Sequence, residues 1–163
     1  MKAKKALLFA LASAVAVVGF SAAAHAQTRY FSFVTLNGPD SVVGADATTF
    51  GPHEFVIAVN NPVVVRQIER ILANETWPGD AVHVKGKVVR GRVAYNEEYP
   101  FHLDSDSIEL FAASNEECEA TSLKVEEDLH LVGTPAFLAT GIWCPWSSRL
   151  VREIRYPFPL PSK

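Results

Sequence analysis

The sequence predicts an α+β fold, a mainly antiparallel sheet with two helices and one disulfide. Three observations point there. Short apolar runs, several with period-two alternation, recur along the chain and stop at clusters of Gly, Pro, Asn and Asp. One run instead has helical spacing behind an Asn-Pro start, and a second follows a Ser-x-x-Glu pattern. The chain has two cysteines, Cys118 and Cys144, and its amino terminus has the layout of an export signal.

That layout is a basic start, Lys2, Lys4 and Lys5, followed by an apolar and small-residue run from Ala6 to Phe20. Small side chains at Ala24 and Ala26 fit a signal peptidase and place cleavage before Gln27. A spanning helix needs about 20 apolar residues, and this run is shorter. Residues 1–26 are therefore expected to be a signal peptide, and 27–163 a single secreted α+β domain with no membrane span after cleavage. The site carries no cysteine for a lipid anchor. Loss of Lys2, Lys4 and Lys5 takes the formal charge from −3 to −6, which argues against binding nucleic acid. In an oxidising compartment Cys118 and Cys144 are expected to pair, with two buried thiols as the alternative.

Tyr30 to Leu36 reads as the first strand, closed by the turn Asn37, Gly38, Pro39. Glu54 to Val59 is a second, ending at Asn60, Asn61, Pro62. Asn61 can cap a helix and Pro62 suits its first turn. Val64, Val65, Ile68, Ile71 and Leu72 then share one face, and the helix stops between Asn74 and Gly79. Val82, Val84, Gly86 and Val88 alternate as a half-buried strand, with a bulge or hairpin expected near Arg90 and Gly91. Phe101 to Leu103 and Ile108 to Phe111 are short strands around the turn Asp104, Ser105, Asp106. Ser114 and Glu117 have the form of a capping box, which places the second helix between Asn115 and Leu131. Leu150 to Tyr156 reads as the last strand, and Pro157 to Pro161 as an edge or loose end.

His102 lies beside Asp104 and Asp106, and a His with a carboxylate can serve as a general base. No nucleophile accompanies them, and a structural hydrogen bond on one strand face explains His102 and Asp104 equally well. Asp104 and Asp106 also alternate like the start of a calcium loop, but the turn glycine and closing glutamate are missing, so calcium would need a non-standard site. His53, His83, His102 and His130 lack paired ligand spacing, and no zinc site is expected. Ser147 and Ser148 have no nucleophile elbow around them. Trp146, Tyr95 and Tyr99 could stack on sugars or fill a partner's groove, whereas Trp143 is expected to pack against the disulfide.

The run Trp143, Cys144, Pro145, Trp146, Ser147, Ser148, Arg149, Leu150 resembles the amino-terminal domain of the cAMP-inducible prespore protein family. The same likeness is carried by Tyr95, Asn96, the triplet Phe101, His102, Leu103, the pair Ser107, Ile108, and the pair Glu117, Cys118, and it extends from about Tyr30 to Ile154. Tyr99 and Glu119 depart from the pattern, which would have tryptophan and aspartate there. The resemblance implies a secreted domain and carries over no catalytic residue.

The expected function is a secreted or periplasmic binding or interaction module for an extracellular protein or glycan. Its expected contacts are His102, Asp104, Asp106, Tyr99 and Trp146, with no catalytic residue assigned and no cofactor beyond the calcium reading. The competing readings are an extracytoplasmic hydrolase using His102 with Asp104 or Asp106, and a small protease inhibitor.

Overall fold

The computed structural model describes residues 27–35, 54–113 and 116–155. The signal segment 1–26, the turn at Asn37, the Ser114 cap and the tail from Tyr156 lie outside them. The elements run β1 (Arg29–Thr35), β2 (Phe55–Val59), α1 (Pro62–Leu72), β3 (His83–Arg90), β4 (Phe101–Leu103), β5 (Glu109–Phe111), a 3-10 turn (Glu116–Cys118), α2 (Ser122–Glu127), β6 (Ile142–Trp143) and β7 (Ser148–Ile154). Among the described residues no helix is long and apolar enough to cross a membrane.

The described strands form two antiparallel sheets. One has the order β2–β1–β7, with Phe31 opposite Ile57 and Phe33 opposite Leu150, and its β1–β7 register shifts between Ser32 and Phe33. In the other, β3 carries β4 and β5 end to end along one edge and β6 along the other. The sheets meet at both margins. Ser148 joins β7 to β3: its Oγ accepts from Val84 N at 3.2 Å and its carbonyl from His83 Nδ1 at 2.9 Å. Asn96 joins β2 to β4, accepting from Val56 N at 3.1 Å and donating to the Phe101 carbonyl at 3.4 Å. The bonds at Val56 N, Val84 N and the Phe101 carbonyl satisfy buried strand groups.

Between the sheets lies an aromatic core. Phe55 meets Phe33, Tyr99, Phe101 and Trp143 with ring centroids 4.9 to 5.4 Å apart, in the tilted and edge-on geometries aromatic rings prefer. The helix α1 adds Val64, Val65 and Ile68 to the same cluster. Its boundaries follow the expected chemistry. Asn61 Oδ1 accepts from Val63 N at 2.9 Å, Pro62 opens the first turn, and Asn74 at φ 59° turns the chain away.

The second helix differs from the expectation of one run between Asn115 and Leu131. It is broken into the 3-10 turn and α2, and Thr121 is the cap, its Oγ1 accepting from Lys124 N at 3.1 Å. The cause is tertiary. Cys118 is bonded to Cys144, and the Cys118 carbonyl accepts from Cys144 N at 2.9 Å, so the chain leaves helical geometry there. The last strand begins at Ser148 rather than Leu150 because its ladder with β1 extends to the pairs Val34–Arg149 and Thr35–Ser148.

Gly86 sits where β3 is squeezed by its neighbours. A Cβ there would lie 2.9 Å from Ile108 Cδ1 and 3.3 Å from Leu103 Cβ, and Leu103 Cβ cannot swing aside because the β4 ladder holds it. Gly86→Ala is expected to cost about 1–3 kcal/mol through overpacking, read as a lower urea midpoint at unchanged slope.

Candidate functional site

The Asp104 turn is an insertion in a strand pair. β3 pairs with β4 through Val88 and Leu103 and with β5 through Lys85 and Glu109, and residues 104–107 loop out between. The loop closes on itself: Asp104 Oδ1 accepts from Asp106 N at 3.0 Å, and the Asp104 carbonyl accepts from Ser107 N at 3.0 Å and Ser107 Oγ at 2.7 Å. Ser107 Oγ in turn accepts from Lys87 N at 2.8 Å, replacing the ladder partner that the excursion removes. Asn60, at the end of β2, donates from Nδ2 to Ser105 Oγ at 2.9 Å and to Asp106 Oδ1 at 2.7 Å. Both carboxylates thus accept from protein N–H groups, Asp104 in a local Asx turn and Asp106 from the distant Asn60.

His102 is on the outward face of β4, and its Nδ1 donates to the Gly91 carbonyl at 3.0 Å. Gly91 has φ 121°, a backbone state that suits glycine, so this bond fastens the turn that ends β3. Among the described residues, no hydrogen bond or ion pair joins His102 to Asp104 or Asp106. No group of three or more His, Cys, Asp or Glu among the described residues is placed to hold a metal.

Tyr99 corrects the expectation of a surface contact. It is 7% exposed and packs against Phe55 and Phe101, because the chain entering β4 carries it into the aromatic core. Its neighbour Tyr95 is half-buried against Tyr30, ring centroids 5.1 Å apart. Burial, and then the charges of Tyr30 and Asp104, push the Tyr95 phenol up to about 12. The folded state therefore holds this proton where the unfolded chain has released it. Stability is expected to fall as pH rises from the ordinary phenol value of 10 through about 12. Urea midpoints across that window, compared between wild type and Tyr95→Phe, measure the contribution, and equal slopes would refute it.

Trp146 stands elsewhere, at the disulfide. It is 39% exposed, while its backbone is pinned: Trp146 N donates to Glu119 Oε2 at 2.6 Å, two residues beyond the half-cystine Cys144. Partial burial pushes the Glu119 carboxyl above its ordinary range, opposed by the Trp146 amide and the nearby His83. Trp143 is interior, among Phe33, Phe55 and Phe101. It is fully buried, and its Nε1 donates to the Ala120 carbonyl at 2.8 Å.

The expected contact residues do not converge. His102 pairs with Val89 near the end of β3, whereas the Trp146 corner is attached through Ser148 to His83 at its start. Six residues of strand separate these points, roughly 20 Å. Sequence reasoning missed Glu119 as the anchor of Trp146, seeing it only as a departure from a pattern. It also missed Trp77, whose signal was the turn pair Pro78, Gly79 directly after it.

The family model for the BP-74 N-terminal domain matches residues 41–157. No curated protein and no solved structure matches the chain.

Proposed function

From the premise that the chain belongs to the BP-74 N-terminal domain family, we propose that it acts as a secreted or periplasmic binding module, with the Trp146 corner as its contact face for an extracellular protein or glycan. The observation that carries this reading is the exposure of an indole on a backbone fixed by the Cys118–Cys144 bond and by Glu119. A rigid aromatic is the residue type that most often anchors an interface, because little conformational freedom is lost when it is covered.

Within that family we place the chain beside the amino-terminal domain of the cAMP-inducible prespore proteins, on the Trp143 to Leu150 run. Export with cleavage before Gln27 completes the proposal. The bridge between Cys118 and Cys144 supports it, since such bonds persist in oxidising compartments.

The test uses residues 27–163, tagged and cross-linked to the extracellular fraction of the producing cells, beside a glycan array. Wild type and His102→Ala are expected to retain the same partner, while Trp146→Ala loses at least about tenfold in affinity, a typical cost for an anchor residue. Equal retention by Trp146→Ala sinks the contact face. A hydrolytic activity that vanishes in His102→Ala sinks the binding reading itself.

A further inference from the structure

We infer that the Trp77 turn and the recess beside it form a second binding site, for the pyranose rings of neutral oligosaccharides. Trp77 is 76% exposed, the most exposed large apolar side chain among the described residues. Water contact with an indole is unfavourable.

Its backbone is prepared rather than loose. Trp77 to Asp80 form a turn of type II character, with Pro78 at the second position and Gly79 at φ 92° in the third. Asp80 N donates to the Trp77 carbonyl at 3.0 Å, and Asp80 Oδ2 accepts from Trp77 N at 2.8 Å. Two bonds therefore clamp the turn on both sides of the indole. The segment leading into it is held as well, since Glu75 N donates to the Arg70 carbonyl at 2.9 Å at the end of α1.

The recess next to this turn has a volume of about 80 Å³ and is lined by Gln67, Arg70, Ile71, Glu75, Thr76 and Asp80 among others. Thr76 precedes Trp77 in the chain and Asp80 closes its turn, so the recess borders the turn that carries the indole, while Trp77 itself does not line it. The lining is an amide, a guanidinium, a hydroxyl and two carboxylates, a set of planar donors and acceptors suited to paired hydroxyl groups. One cation against two anions disfavours phosphate, sulfate or uronate ligands. The volume is well below the roughly 300 Å³ of a site that buries a drug-sized ligand, so it admits the edge of one ring while the rest of the ligand lies across the surface. A pyranose fits these terms, with a C–H face for the indole and hydroxyls at its rim. None of the residues lining the recess belongs to the Trp146 corner.

Isothermal titration of residues 27–163 with cellotriose, chitotriose, maltotriose and mannotriose, and with trigalacturonic acid as an anionic control, tests it. At least one neutral trisaccharide is expected to bind with millimolar affinity and to shift the tryptophan emission. Trp77→Ala is expected to weaken that binding at least about tenfold, the effect of losing a central aromatic contact, with Trp77→Phe recovering part of it. Because Trp77 is exposed, far-UV circular dichroism of Trp77→Ala should match wild type, which separates a lost contact from a lost fold. The inference is overturned if no neutral trisaccharide binds, if Trp77→Ala binds as wild type, or if Trp77→Ala loses only a protein partner.

Discussion

Trp143→Ala is expected to lower the free energy of unfolding by about 3–5 kcal/mol, the range for removing a large aromatic from a closed core. Trp143 has no solvent exposure, and its ring meets Phe33, Phe55 and Phe101 at centroid distances of 5.6, 5.2 and 5.7 Å. These partners come from β1, β2 and β4, so the cavity left behind would open across both sheets. The substitution also removes the donor to the Ala120 carbonyl at 2.8 Å. Trp143→Phe separates the two effects, because it keeps a ring but removes the donor to that part-buried carbonyl, at about 1 kcal/mol for one hydrogen bond. Urea unfolding followed by circular dichroism ranks the three proteins. A domain of ordinary stability has about 5–15 kcal/mol in total, so the alanine variant is expected to be partly unfolded at mild urea concentrations. A loss no greater than that of Trp143→Phe would show that the core closes around the gap.

The second large effect is at the disulfide. Cys118 and Cys144 are 26 residues apart, with Cα atoms separated by 5.2 Å. The loop-entropy relation assigns about 3.5 kcal/mol to a bridge of this span. The double variant Cys118→Ser, Cys144→Ser and the reduced wild type are both expected to lose stability by that order. The loss should reach the contact face as well. Cys144 N donates to the Cys118 carbonyl and Trp146 N to Glu119, so the bridge holds together the two short segments on which Trp146 is mounted. Hydrogen exchange at Trp146 is expected to accelerate in the double variant more than at Ile57 in the middle of β2. Intact mass after alkylation without reductant provides the parallel check, and two alkylated sulfurs in protein recovered from cells would remove the basis for both expectations.

The residues that carry the family resemblance turn out to be mostly structural. Trp143, Phe101, Leu103 and Ile108 fill the core, Asn96 joins one pair of sheet margins, and Ser148 joins the other. Cys118 and Cys144 form the bridge. A pattern built from such residues identifies how a chain folds and is silent on what it binds, which fits a likeness that names no reaction. His102 belongs to the same set, since its bond to the Gly91 carbonyl secures the end of β3.

Local chemistry made several elements legible from the chain alone. The strands around Phe31, Val56 and Val84, the Asn61 cap with Pro62 and the apolar face of α1 all depend on contacts or dihedral preferences within a few residues. The pairing of two cysteines needed only the count and the expected compartment. Tertiary structure decided the rest. It broke the second helix, because the bond from Cys118 to Cys144 acts across distant sequence, and it drew Tyr99 inward, because a strand's neighbours determine which aromatic is covered. It also placed His102 and Trp146 at opposite ends of β3. Sequence proximity had gathered His102, Asp104 and Asp106 into one apparent group, but backbone groups from Gly91 and Asp106 and the side chain of Asn60 claimed their polar atoms. Short-range preferences are written into neighbouring residues, whereas the partners of a polar or aromatic side chain are chosen by whatever the folded chain brings beside it.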